Sequence, residues 1–309
     1  MKTAFITHPD CLNHITPSGH PECINRLEGI TQRLNKSDFN ALLRIKAPLG
    51  KISNLRLGHP ENYIEKIASL IPKTSIHAID NDTFVSPNSY KAALRGVGSI
   101  TKAIDLVMAQ KVKNAFCATR PPGHHAEKKK AMGFCLFGNV AIGAKYLLQK
   151  YKLNKVAIID FDVHHGNGTQ NILWDETRTL FISMHQMPLF PGTGYASENG
   201  SENNIINVPL PAESKGSEAC EIFETSISPK LRAFEPDFVL ISAGFDAHIN
   251  DPLANLNWST QDFATITNLI LNIAREFSNK RVVSTLEGGY DIDSLTESVA
   301  IHVKALMEA

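Results

Sequence analysis

Apolar positions along this chain follow two alternating patterns. Short runs rich in Val, Ile and Phe read as strands: Thr3–Thr7, Ala115–Thr119, Val156–Asp160, Thr179–Met184, Phe238–Ser242 and Val282–Leu286. They are nearly continuous in apolar character, as parallel strands covered on both faces are. Between them lie longer stretches of helical periodicity, near Ser89–Gln110, Asn139–Tyr151, Ser217–Phe234, Gln261–Phe277 and Ile292–Met307. In the first of these, Ala93, Val97, Ile100, Ile104 and Val107 recur at spacings of three and four and form one stripe. Strand and helix alternating over the whole length predict an α/β fold, one parallel sheet with helices on both faces. No repeat, low-complexity tract or linker divides the chain, so 1–309 reads as a single domain.

Four strands run into polar or glycine-rich clusters. Ala115–Thr119 leads into Arg120-Pro121-Pro122-Gly123-His124-His125. Val156–Asp160 leads into Phe161-Asp162-Val163-His164-His165-Gly166-Asn167-Gly168. Phe238–Ser242 leads into Ala243-Gly244-Phe245-Asp246, and Val282–Leu286 into Glu287-Gly288-Gly289-Tyr290. In open α/β sheets the ligand crevice lies outside the carboxyl ends of the strands, so these clusters are expected to converge.

Composition narrows the function. Thirty-one basic residues balance 31 acidic ones among 309, which gives no global electrostatic footprint for nucleic acid or an anionic membrane. The apolar runs are too short to cross a bilayer. The first residues read as a strand rather than a signal peptide, so a cytoplasmic protein is expected. Five Cys, an odd number, argue against a disulfide framework and fit a reducing compartment. Against this background the 12 His stand out, and five of them (His124, His125, His164, His165, His185) fall in one stretch.

At the extended end of a strand, residues i, i+2 and i+4 point to one side, so Asp160, Asp162 and His164 are presented together. One carboxylate and one imidazole make half a divalent-metal site, and Asp246 at another strand end supplies the third ligand. Mixed N/O ligation with open positions suits catalytic Zn²⁺, with Fe²⁺ an alternative. A metal-activated water needs a base, and His124 and His125 are candidates. Each imidazole needs a partner to fix its tautomer, and Asp160 and Asn167 are available for that. Tyr290 follows two glycines, so its phenol can approach the metal and stabilise an oxyanion. Together these residues read as metal-assisted hydrolysis of a carbonyl compound.

The same residues resemble the zinc-dependent histone deacetylases and their bacterial relatives, among them acetylpolyamine amidohydrolases. The resemblance runs from His20-Pro21-Glu22 to Glu287-Gly288-Gly289-Tyr290 and includes Arg120 through Ala126, Gly133-Phe134-Cys135, Asp160 through Thr169, Phe190-Pro191-Gly192-Thr193-Gly194, and Asp246 followed by Asp251-Pro252. Asn167, and Asp82-Thr83-Phe84-Val85-Ser86-Pro87, look like the class II branch. The resemblance implies the arginase–deacetylase fold with a central eight-stranded parallel sheet. It implies hydrolysis of acetyl or other acyl groups on the ε-amine of lysine in proteins or peptides. The implied zinc ligands are Asp162, His164 and Asp246. His125 is then the general base, His124 with Asp160 an electrostatic partner, and Tyr290 the residue that polarises the acyl oxygen. Phe134 and Phe190 would wall the acyl-lysine tunnel, Gly133 would offer its carbonyl to the substrate amide, and Arg26 would line a cavity beneath the metal. A potassium ion would be held by Asp160 and Ser183 with the carbonyls of Asp162, His164 and Met184. A second would use the carbonyls of Leu173, Glu176 and Thr179.

Rivals differ at single positions. A dinuclear manganese ureohydrolase shares the fold but needs Asp at 166 and 244, where this chain has Gly166 and Gly244. Polyamine deacetylases of the eukaryotic branch carry a Glu gatekeeper after the Asp-Pro pair, where this chain has Leu253. An acyl-lysine preference follows, with acetylpolyamines the alternative. A non-catalytic binding module is disfavoured because no ligand, His or Tyr is missing. His8, Cys11, His14, His20 and Cys23 lack paired metal spacing and read as a structural loop at the pocket rim.

Overall fold

The computed structural model describes residues 1–309. In chain order the strands are β1 (Thr3–Thr7), β2 (Leu43–Lys46), β3 (His77–Ala78), β4 (Phe84–Val85), β5 (Asn114–Cys117), β6 (Val156–Asp160), β7 (Thr179–Gln186), β8 (Ile205–Leu210), β9 (Phe238–Ala243) and β10 (Val282–Leu286). The helices are α1 (Ile24–Leu34), α2 (Ile52–Leu55), α3 (Glu61–Ser69), α4 (Ser89–Met108), α5 (Asn139–Lys150), α6 (Asn167–Leu173), α7 (Gly216–Ile222), α8 (Ser228–Phe234), α9 (Thr260–Phe277) and α10 (Ile292–Glu308).

Eight strands form one sheet in the order β2-β1-β5-β10-β9-β6-β7-β8, every neighbouring pair parallel. Parallel neighbours need crossovers, and helices supply them on both faces. Side chains alternate between the faces: along β6, Ile159 enters one core and Ile158 the other. The first core packs Leu27 and Ile30 of α1, Ile266 and Ile270 of α9, and Val299 and Val303 of α10 against the sheet. The second packs Ile100 and Ile104 of α4 with Val140 and Leu147 of α5. No helix is long and apolar enough to cross a membrane.

The α/β class and the eight-stranded parallel sheet are as expected, and three of the six predicted strands, Thr3–Thr7, Val156–Asp160 and Val282–Leu286, match residue for residue. The expected helix Ser217–Phe234 is interrupted: a π-helical turn at Phe223–Ile227 separates α7 from α8. Pro229, in the first turn of α8, has no N–H to continue the α-helical ladder. The edge strands β2 and β8 carry no continuous apolar run. The four clustered strand ends prove to be four adjacent strands, β5, β10, β9 and β6, in the middle of the sheet.

Candidate active site and metal centre

Beyond β6 the chain turns so that Asp162 and His164 face Asp246, which follows β9. The ligand atoms of the three all lie within 4.8 Å of one another, the one group of this kind in the chain. His164 Nδ1 is 3.2 Å from Asp162 Oδ1 and 3.1 Å from Asp246 Oδ2. Both carboxylates are buried, and main-chain amides aim them: Gly288 N donates to Asp162 Oδ2 at 2.8 Å and Val163 N to Asp246 Oδ1 at 3.0 Å. Two carboxylates in a low-dielectric site demand positive charge. Burial opposes a charge on His164, yet its hydrogen bonds to Asp162 and Asp246 push its pKa up to about 10. A divalent cation answers that demand, and two carboxylates plus one imidazole suit zinc with open positions remaining.

Glycines bound this site closely. A Cβ at Gly288 would lie 2.0 Å from Asp246 Oδ2, at Gly244 2.1 Å from Asp162 Oδ2, and at Gly166 2.3 Å from Asp160 Oδ2. Side chains at 166 and 244, which a ureohydrolase needs as bridging carboxylates, have no room here.

The adjacent histidines have different partners. His124 Nδ1 lies 3.0 Å from Asp160 Oδ2, and its Nε2 is 3.8 Å from Asp162 Oδ1. Burial opposes charge on His124, but Asp162 and Asp160 outweigh it and hold its pKa well above the usual range. His125 Nδ1 lies 2.7 Å from Asn167 Oδ1. Asn167 Nδ2 donates to Glu127 Oε1 at 2.8 Å, which fixes the amide with its oxygen toward His125. His125 must therefore donate from Nδ1 and keep the Nε2 lone pair free. Burial, reinforced by the charges of His124 and His164, holds His125 well below the usual imidazole range. The surroundings thus favour the charged form of one imidazole and the neutral form of the other, their ring centroids 3.9 Å apart.

A cavity of about 240 Å³ ends on His125, His164 and Tyr290, with walls of Gly133, Phe134, Leu189, Phe190 and Leu253 and Asp82 at its rim. Phe134 packs edge-on to Tyr290 and Phe190 edge-on to His125. Gly133 (φ 54°) and Phe134 (φ 68°) are both left-handed, and Phe134 N donates to Thr83 Oγ1. A Cβ at Gly133 would come 2.4 Å from the His125 ring, so only glycine fits. Burial and the Asp246 charge keep the Tyr290 phenol far up its range, hence protonated.

Other expected residues lie outside the cavity. Arg26 is buried behind Tyr290, 4.9 Å from its ring centroid, and donates to the carbonyls of Glu287 and Gly289. Ser183 pairs with Asp160 in register, and its Oγ is 3.0 Å from His185 Nδ1. The carbonyls of Leu173 and Glu176 already accept from the Asn204 amide and from the amides of Glu176 and Thr179, which leaves less for a second cation. His165 and His185 brace the loop after Phe190, His165 against Thr193 Oγ1 and His185 against the Gly194 carbonyl. In the first loop His14 meets Ser89, and His20 meets the Asp82 carbonyl and the Glu22 amide; no metal cluster forms. The sequence assigns no role to Asp82, Leu189 or Glu127. Asp82 opens the Asp-Thr motif, but nothing in that motif says its carboxylate reaches a cavity rim.

Comparison with known proteins agrees with this arrangement. A family model described as "Histone deacetylase domain" matches residues 20–306. Histone deacetylase 14, chloroplastic, of Arabidopsis thaliana is 35% identical over 97% of this chain and 73% of that protein. A probable deacetylase of Archaeoglobus fulgidus is 34% identical over 99% of this chain and 86% of that one. The crystal structure of the HDA15 HD domain superposes with a TM-score of 0.93 at 30% identity, covering 99% of this chain and 88% of that one.

Proposed function

The chain belongs to the histone deacetylase family, and on that basis we propose that residues 1–309 act as one zinc-dependent catalytic domain of the class II kind. It hydrolyses the amide of Nε-acyl-lysine in proteins or peptides, releasing acetate and free lysine. The observation that carries this reading is the cavity itself. A narrow tunnel with Phe134, Phe190, Leu189 and Leu253 as walls suits the four methylenes of a lysine, and it delivers the acyl group to His125, His164 and Tyr290.

Each residue has a role that its surroundings support. Zinc held by Asp162, His164 and Asp246 would polarise the acyl oxygen and make a water more acidic. His125 Nε2, left with its lone pair, takes the proton of the attacking water and delivers it to the departing lysine nitrogen as the carbon–nitrogen bond breaks. His124, hydrogen-bonded to Asp160, stabilises negative charge at the reacting centre. Tyr290 donates its phenol proton as a hydrogen bond to the acyl oxygen where charge develops. The Gly133 carbonyl accepts from the substrate amide N–H. Asp160 and Ser183, with main-chain carbonyls of Asp162, His164 and Met184, would hold one potassium ion behind the site.

A second reading rests on Asp82. A carboxylate at the mouth attracts the ammonium of an acetylpolyamine, whereas Leu253 offers it nothing. One panel separates the two: acetyl-lysine peptides, longer acyl-lysines, acetylspermidine and acetylputrescine, assayed with zinc-loaded protein. Acyl-lysine peptides are expected to be the better substrates, and faster turnover of the polyamines would reverse the assignment. Tyr290→Phe is expected to lower kcat by about 10²-fold or more while zinc stays bound, as losing an oxyanion donor does.

A further inference from the structure

Glu287 is fully buried, and its carboxylate touches no Lys, Arg or His side chain. Arg26 donates to its main-chain carbonyl instead. Three donors hold the carboxylate: Gly123 N at 2.7 Å and His124 N at 3.1 Å on Oε2, and Ser242 Oγ at 3.2 Å on Oε1. A buried carboxylate with no direct ion pair is costly, and retaining one calls for a purpose.

The backbone opposite explains the pairing. Pro121 and Pro122 have no N–H, so Gly123 and His124 are the first donors after Arg120, and both converge on one oxygen as a small anion nest. Gly123 packs closely against the start of α5, where a Cβ would lie 2.7 Å from Asn139 N. The His124 carbonyl accepts from Thr169 N at 3.1 Å. Asp160 and Asn167 orient the two rings, but they do not place the main chain that carries them. Glu287 does, from the strand that also brings Tyr290.

We infer that Glu287 is the positioning residue of the His124–His125 pair, fixing the main chain at 123–124 so that His125 Nε2 faces the acyl carbon. The inference rests on the hydrolase reading above. It concerns reach rather than charge, so Glu287→Gln and Glu287→Asp give opposite results. In Glu287→Gln the amide oxygen accepts both N–H groups and the amide nitrogen donates to Ser242 Oγ, which reverses its role. In Glu287→Asp the charge stays but the carboxylate withdraws by one methylene.

The expected result is a kcat within about threefold of the parent for Glu287→Gln and a loss of about 10²-fold for Glu287→Asp, with KM unchanged in both. Equal losses, a better Asp than Gln variant, or a loss confined to KM would overturn it. A second readout needs no substrate. By NMR with ¹⁵N-labelled histidine, the ring signals of His124 and His125 should shift in Glu287→Asp and coincide with the parent in Glu287→Gln, while those of His302 stay fixed in both. Unmoved His124 and His125 signals in the Asp variant would also overturn the inference. If the parent protein turns over no acyl substrate, the hydrolase reading fails, and the NMR comparison still decides where Glu287 acts.

Discussion

Around Asp160, Asp162 and Asp246 the missing side chains matter as much as those present. Gly288 shows this most sharply, since a Cβ there would lie 2.0 Å from Asp246 Oδ2 and 2.6 Å from Asp162 Oδ2. Gly288 also donates its N–H to Asp162, so any shift that relieves the overlap moves two ligands together. Gly288→Ala is therefore expected to weaken metal affinity at least as much as losing a residue that orients a ligand, about 10- to 100-fold. Metal competition with a chelator measures it, and an unchanged affinity would contradict the packing described. Asp162 and His164 were legible in the sequence from their spacing beyond one strand end, and Asp246 from the expected convergence of another strand end on the same crevice. Glu287, though quoted within its motif, gave no hint of its task. Its partner amides lie 163 and 164 residues away, and no local pattern encodes that distance.

Elements meet at a buried ionic hub. Glu22 precedes α1 and accepts from Arg26 on α1 and, through both its oxygens, from Arg120 beyond β5. Burial alone would raise the Glu22 pKa, but Arg120 pulls it down to about 2. Arg26 then ties the hub to the carbonyls on either side of Gly288. Removing the carboxylate charge leaves two guanidinium groups buried without a counter-ion. Glu22→Gln is expected to lower stability by roughly 3–5 kcal/mol, read as a lower midpoint in urea; a loss below about 1 kcal/mol would show that water reaches the hub. At this scale the apolar pattern found the central strands and the long helices, because both are buried on the faces that pattern reports. It missed β2, whose four residues are all at least partly exposed, and β8, which alternates and contains Pro209. Edge strands face solvent on one side, so their sequence need not look like a strand at all.

Across the whole molecule, buried neutral histidines tie stability to pH. His59 Nε2 accepts from Gly138 N at 2.9 Å, which a protonated ring cannot do, and burial lowers its pKa to about 4. His302 joins α9 and α10 to β10 through Thr267 and Ser284, and burial lowers it to about 3. Both values lie below that of an unfolded His, so below pH 6.5 the unfolded chain binds protons that the folded one refuses. Stability from these groups is complete above about pH 6.5 and falls as pH drops toward their folded values, by on the order of 2 kcal/mol each at pH 5. Urea unfolding at pH 7, 6 and 5, with metal removed by chelation, should show that decline. His302→Gln should lessen it, and a flat profile would contradict it. The position of β10 bears on how such a chain comes to be folded. It is the last strand in sequence, yet it lies between β5 and β9 at the centre of the sheet. A chain emerging from the ribosome can form β2-β1-β5 and β9-β6-β7-β8 as two separate leaves, each with a bare inner edge, until Val282–Leu286 arrives to join them. The last strand to be made also carries Glu287, Gly288 and Tyr290. The two leaves therefore stay inert until β10 joins them, and their open edges are the surfaces a chaperone would have to shield.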